Sequence, residues 1–166
     1  FSGASFAIES KILAALADAS ESQPEVVQSL SANPSHICAV VRRLERASQV
    51  SQASFVEGAV SVSQSAECEA ITSSLMKLLD EILAHTDDDK LQTIISSGAV
   101  PTLFRVAMGN ARRDRADEIA LKALAMLVRV GRIPEGQRAL LKEDALDQLL
   151  ELLPQEHEAC DEDEAF

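Results

Sequence analysis

Tryptophan and tyrosine are missing from this 166-residue chain, and its only aromatic residues are five phenylalanines. Sheet surfaces are commonly covered by Val, Thr, Tyr and Trp, so this shortage argues against a β protein. Alanine, leucine, isoleucine and valine dominate instead, a composition that suits helices packed on helices. We therefore expect one all-helical domain, and the chain is long enough to bury a core.

The three cysteines, Cys38, Cys68 and Cys160, form no CxxC pair, and their odd number argues against a disulfide framework. The first two are expected to be buried as small hydrophobic residues. The sequence shows no secretory segment and no apolar run of roughly 18 residues, which a membrane span requires. These absences predict no membrane insertion and a cytoplasmic setting, with a nuclear one also compatible. The chain starts at Phe1 rather than Met, which is compatible with a fragment.

Basic residues are scarce, because 15 lysines and arginines stand against 27 acids and leave a formal charge of -12. A net-acidic surface repels phosphate backbones and anionic membranes, so nucleic acid is not an expected ligand. Six of the acids lie within residues 155–166. We interpret this segment as a solvated acidic tail that follows a helical domain at residues 1–154.

Groups that could perform catalysis are few and scattered. His36, His85 and His157 are far apart in the sequence, and none shares a helical face with a cysteine or another histidine. The three acids that follow Thr86 are expected to favour the positive end of a helix dipole instead of binding a cation. No catalytic residue, metal ligand or cofactor site is predicted, and the chain is not expected to be an enzyme.

A repeated unit is visible in the apolar positions. The stretch "IISSGAVPTLF", residues 94–104, interrupts an apolar run with Ser-Ser-Gly, and "LLKEDALDQLL", residues 140–150, matches it at a shift of 46. Gly98 is expected to take a positive φ at the corner, and Pro101 is tolerated in the first turn of the next helix. The unit therefore contains two short helices around a corner, a polar loop and a longer helix, "ADEIALKALAMLVRVG", at 116–131.

Earlier copies of this unit appear at two further shifts. The long helix matches residues 75–83 at a shift of 45, and a shift of 63 then reaches residues 12–16 and 37–44. The excess spacing falls on residues 47–65, which are rich in Ser and Gln and weak in periodicity. We interpret this segment as an inserted flexible loop.

A period of about 40 to 47 residues with two or three helices per unit is typical of armadillo and HEAT proteins. The stretch "IISSGAVPTLFRVAM" resembles the first helix, the Gly-Ala-x-Pro corner and the second helix of the armadillo repeat, and "EIALKALAMLV" resembles its third helix. The resemblance is good over residues 89–153, weaker over 66–85 and degenerate over 6–46. It implies a right-handed armadillo-like solenoid of about three to three and a half repeats, interrupted by the inserted loop. The third-helix core positions fall on Ala120, Leu124 and Leu127.

In the armadillo family the third helices line a concave groove that binds extended peptides. Importin-alpha-like members carry Trp and Asn at two groove positions where this chain has Lys and Met, which argues against binding of basic nuclear-localisation peptides. Basic groove residues here resemble those of beta-catenin-like members, which bind acidic ligands. The resemblance places groove positions at Lys122, Met126 and Arg129, at Lys77 and Glu81, and, on the degenerate first copy, at Ala14 and Asp18.

The resemblance therefore implies a noncatalytic scaffold or adaptor that binds a protein or an acidic peptide on the concave face of the long helices. An alternative is a regulatory domain that binds a small GTPase, a motor or a formin-type partner under the control of the inserted loop and the tail. A secondary patch is predicted at Arg112, Arg113 and Arg115, for an acidic peptide or phosphate. Self-association through an uncovered solenoid end, such as the helix expected at 146–153, is also compatible with the sequence.

Overall fold

The computed structural model describes the backbone of residues 3–57, 62–111 and 117–142, together with residues 147 and 150. Eight helices and no strand occur in these ranges, which confirms the all-helical prediction. None of these helices is both long enough and apolar enough to cross a membrane. The helices are α1 (Gly3–Ser22), α2 (Pro24–Ala32), α3 (Pro34–Glu57), α4 (Val62–Ala84), α5 (Asp88–Ser96), α6 (Ala99–Ala111), α7 (Asp117–Val130) and α8 (Pro134–Lys142).

Proline marks the start of three of these helices. Pro24, Pro34 and Pro134 are the first residues of α2, α3 and α8. The fixed φ of proline suits a helix, and its missing N–H costs nothing in the first turn. Before α3, the side-chain oxygen of Asn33 accepts a hydrogen bond from the backbone N–H of Ser35 at 3.0 Å. Local chemistry therefore sets these boundaries.

The corner between α5 and α6 has the predicted geometry. The Asp87 carboxylate accepts a hydrogen bond from the backbone N–H of Lys90 at 3.0 Å and so caps the start of α5. Gly98 separates the two helices with a φ of 88°. This left-handed conformation is open to glycine but strained for other residues. Pro101 lies in the first turn of α6, so the expectations for both corner residues are confirmed.

Helices three places apart along the chain pack on one another. In what we term the first row, α1 packs on α4 and α4 packs on α7. The second row consists of α3 and α6, and α5 likewise contacts α8. Consecutive helices join the rows, because α3 also packs on α4 and α6 on α7. Four of the helix contacts therefore join helices that are three places apart along the chain.

The core lies between the rows, and α4 contributes the largest share of its buried apolar side chains. The repeat predicted many of these positions, including Ala120 and Leu127 of α7, which are both buried. The other matched positions that are buried are Ile37, Val40, Val41, Leu44, Leu75, Leu78, Leu79, Ile82, Leu83, Ile94, Ala99, Val100, Leu103, Phe104, Ala107 and Ala123.

Two matched positions at the ends of the first row differ from this pattern. Ile12 of α1 is 60% exposed and Val128 of α7 is 66% exposed. Leu124, expected in the core, is only partly buried, and Cys38 is half-buried, whereas Cys68 is buried as expected. Helical periodicity indicates which side chains share a face, but burial of that face requires a neighbouring element to cover it.

The structure corrects the prediction of an inserted loop at residues 47–65. Residues 47–57 continue α3 and residues 62–65 belong to α4, whereas 58–61 lie outside the described residues. No glycine or proline occurs between Pro34 and Gly58 to end the helix. Ser48 is buried, and its hydroxyl donates to the carbonyl of Glu45 at 2.7 Å, so a Ser-rich sequence is accommodated within the helix.

Two further predictions concern the carboxyl-terminal part of the chain. The acidic tail at 155–166 lies outside the described residues, as does the predicted helix at 146–153 apart from Asp147 and Leu150. The domain boundary at residue 154 therefore stays a prediction.

Candidate functional site

Helix α4, the middle helix of the first row, carries a narrow polar surface. From Ile71 to Ala84 most side chains of this helix are buried, and the others lie at residues 73, 77, 80, 81 and 84. This spacing places them on one helical face. We term the four polar residues of its carboxyl-terminal half the polar stripe: Ser73, Lys77, Asp80 and Glu81.

Ion pairs join the polar stripe to both neighbouring helices of the first row. The Nζ of Lys77 lies 3.7 Å from Oε1 of Glu21 on α1. On the other side, Nη1 of Arg129 on α7 lies 3.4 Å from Oδ1 of Asp80. All four side chains are more than one-third exposed, so each pair stabilises the fold by about 1 kcal/mol or less. The pairs hold the charges in place without removing them from solvent.

Two further charge contacts run along single helices. Lys122 of α7 lies 3.4 Å from the carboxylate of Glu118, one turn earlier. Glu81 of α4 lies 3.7 Å from Nε2 of His85, one turn later. Lys77, Lys122 and Arg129 thus each have an acidic neighbour. That these three cations and Glu81 form one groove stays a prediction.

Met126 is the predicted groove residue that the structure removes from the site. Its side chain has an exposed fraction of 0% and belongs to the hydrophobic core. The shift of 45 equates Met126 with Glu81, but an apolar thioether is stabilised by burial whereas a carboxylate is stabilised by water. On the first copy, Ala14 and Asp18 of α1 are exposed, as groove positions should be.

The acidic partners of the groove cations were not identified from the sequence. Glu21 comes from the end of α1, and Asp80 lies one position before the predicted Glu81. A helical wheel places Asp80 beside Lys77 on α4, but only the packing of α4 against α7 reveals its contact with Arg129. The predicted patch at Arg112, Arg113 and Arg115 lies outside the described residues.

Among the described residues, we looked for metal ligands and for a reactive nucleophile. No group of three His, Cys, Asp or Glu side chains in the described part of the chain is placed to hold a metal ion. Burial raises the pKa of the Cys68 thiol above its usual 9.0, and the negative charges of Glu67 and Glu9 raise it further. Since the thiolate is the nucleophilic form, this thiol is kept in its unreactive state near neutral pH.

The position of Cys68 follows from its place on α4. It is buried one turn before Thr72, whose hydroxyl donates a hydrogen bond to the Cys68 carbonyl at 2.8 Å. The raised pKa means that folding favours the protonated thiol. Its contribution to stability is therefore complete below pH 9.0 and is lost as the pH rises through the higher folded-state pKa.

No protein-family model, curated protein or solved structure matches this chain.

Proposed function

We propose that this chain is a noncatalytic protein-binding module, a scaffold or adaptor built as a short armadillo-like solenoid of three-helix units. The packing of α1 on α4 and α4 on α7, with α3 on α6, supports such a repeat. Solenoids of this kind present one extended face formed by equivalent helices. The chain's acidic charge and its odd number of cysteines fit a cytoplasmic location, which we include in the proposal.

The polar stripe and its flanking cations carry this proposal. Lys77, Lys122 and Arg129 each lie near an acidic side chain, and all three remain partly exposed. A preorganised cation loses less side-chain entropy on binding than a free one. This face therefore suits a bound protein segment better than it suits a small molecule, which would need a concave apolar pocket.

The distances within the ion pairs favour a ligand with carboxylates. Strong charge-assisted hydrogen bonds are about 2.7 to 2.9 Å long. The three cations lie 3.4 to 3.7 Å from their acidic neighbours, so their N–H groups are not tightly engaged. A ligand carboxylate could take up these donors at little cost to the fold. We therefore propose an acidic peptide, or an acidic segment of a protein, as the partner.

Selection from a displayed library of linear peptides tests the proposal. We expect the selected peptides to be rich in Asp and Glu. The Lys122→Glu and Arg129→Glu substitutions should each weaken their binding at least about tenfold, because each replaces an attraction with a repulsion. The matched control is Lys90→Glu, which makes the same charge change on α5, away from the first row.

Circular dichroism should first show that all three variants fold like the parent chain. Peptides that lose affinity for Lys90→Glu but bind both first-row variants normally would contradict the proposed site. A library that yields no binder would contradict the peptide-binding function. In that case the regulatory alternative, with a folded partner, would become the better explanation.

A further inference from the structure

Both ends of the first row carry large apolar side chains that no helix among the described residues covers. On α1, Ile8 and Ile12 are each 60% exposed. On α7, Leu121 and Val128 are 63% and 66% exposed. Each pair is spaced to lie on one helical face, four residues apart on α1 and seven apart on α7. The two faces therefore differ from scattered surface residues, which need no explanation.

The exposed face of α1 corresponds, in the repeat, to one side of α4. The shift of 63 equates Ile8 with Ile71 and Ile12 with Leu75 of α4. Both α4 residues are buried, with exposed fractions of 3% and 0%. On α4 they lie on the opposite side from Asp80, in a helix that packs extensively on α1. The face of α1 is thus the position at which a preceding first-row helix would pack.

The exposed face of α7 corresponds to the other side of α4. The shift of 45 equates Leu121 with Met76 and Val128 with Leu83, and both α4 residues are buried. A helical wheel places Met76 and Leu83 on the same side of α4 as Asp80, which pairs with Arg129 of α7. This side of α4 therefore faces α7. The exposed face of α7 is the position at which a following first-row helix would pack.

We propose that copies of this chain associate head to tail, with α7 of one copy packing on α1 of a second copy. The contact would repeat the packing of α4 on α7, so Leu121 and Val128 would meet Ile8 and Ile12 of the second copy. Every copy carries both halves of this contact, which is why a second copy is the occupant that the structure supports. Such a contact is heterologous and leaves a free half at each end, so assembly continues beyond a dimer.

The net charge of the chain sets the conditions for this assembly. Each copy carries a formal charge of -12, so copies repel one another at low ionic strength. Added salt screens this repulsion while apolar burial persists. Association should therefore be weak in dilute buffer and stronger at high salt. The inference rests on the packing of the first row and is independent of peptide binding to the polar stripe.

Sedimentation velocity from micromolar to millimolar protein, at low and high salt, tests the proposal. The parent chain should form a concentration-dependent series of species that extends beyond a dimer. Ile12→Glu blocks one end and Val128→Glu the other, and each should weaken association at least about tenfold through lost apolar burial. Because both sites are exposed, the variants should keep the helical content and melting temperature of the parent chain.

A mixture of the two variants distinguishes head-to-tail contact from symmetric contact. The intact α7 face of Ile12→Glu should bind the intact α1 face of Val128→Glu, which gives a complex of one copy of each and nothing larger. Gln92→Glu on α5 makes the same charge change away from both ends and should assemble like the parent chain. A parent chain that stays monomeric throughout, or a single variant that dimerises alone, would overturn the proposal.

Discussion

At the scale of single residues, α7 shows how adjacent positions acquire different roles. Lys122 and Arg129 lie on its partly exposed face, whereas Met126 between them is fully buried. Burial of a methionine side chain is worth about 1.5 to 3 kcal/mol, whereas an exposed ion pair is worth 1 kcal/mol or less. The free energy of packing therefore decides which side of α7 faces the core.

We expect Met126→Ala to lower the free energy of unfolding by about 2 to 5 kcal/mol, because it leaves a cavity in the core. Lys122→Ala should change the same quantity by less than about 0.5 kcal/mol, because the lysine is partly exposed. Urea denaturation followed by circular dichroism measures both. Equal and small effects would show that Met126 lies on the surface, as the family resemblance implied.

Gly136 gives a second prediction at this scale. It is buried at the start of α8, and a Cβ atom built on it would lie 1.8 Å from the carbonyl oxygen of Val130. Because backbone must move to relieve this overlap, Gly136→Ala should cost about 3 kcal/mol or more in thermal or urea unfolding. Gly98→Ala is the matched control, since nothing lies within 4 Å of its Cβ and only the positive φ is strained.

For Gly98→Ala we expect a loss of about 1 to 2 kcal/mol, the cost of a left-handed conformation for alanine. A reversed order of the two glycine variants would contradict the close approach of α8 to the end of α7.

At the scale of helices, capping groups set boundaries, and four of the helix contacts join helices three places apart along the chain. The Asp87 carboxylate caps α5, and its removal in Asp87→Ala should cost about 1 kcal/mol. Asp88→Ala removes the same charge one position later, in the first turn, and should cost only a few tenths, from the helix dipole. Chemical denaturation of both variants measures the difference. Equal losses would mean that charge alone, without the hydrogen bond, stabilises the start of α5.

The sequence predicted those elements whose local chemistry is decisive. Gly98 and Pro101 define a corner wherever they occur, so their roles could be read from residue types alone. Residues 47–57 were misjudged because Ser and Gln are common in loops, whereas no glycine or proline ends α3 before Gly58. The exposure of Ile12 and Val128 was missed for a different reason. Their positions in the repeat are apolar, but the covering neighbour is absent from the described residues.

At the scale of the whole molecule, the sequence likewise predicted some features of the candidate site and missed others. The repeat equates Lys122 with Lys77, and that these lysines and Arg129 share one groove face stays a prediction. It could not identify Glu21 and Asp80 as their partners, since an ion pair between helices depends on how closely the helices approach. Charge contacts between elements are therefore the information that the three-dimensional structure adds.

The distribution of contacts predicts how stability varies along the chain. Helix α4 packs on α1, α2, α3 and α7, whereas α8 packs mainly on α5 and α6, and less extensively, among the described helices. Amides of α4 should therefore exchange with solvent only through global unfolding, which costs about 5 to 15 kcal/mol in typical domains. Amides of α8 should open at lower cost, by at least about 2 kcal/mol, because fewer contacts must be broken.

Native-state hydrogen exchange at a protein concentration where the chain is monomeric measures this difference. In low urea, exchange of α4 amides should accelerate in parallel with global unfolding, while that of α8 amides should stay nearly independent of urea. Such behaviour is expected when a stack of units unfolds from its end, where each unit is held by one neighbour only. If α8 were protected as strongly as α4, the helices would unfold as one unit, and the free energy of each helix would not depend on its place in the stack.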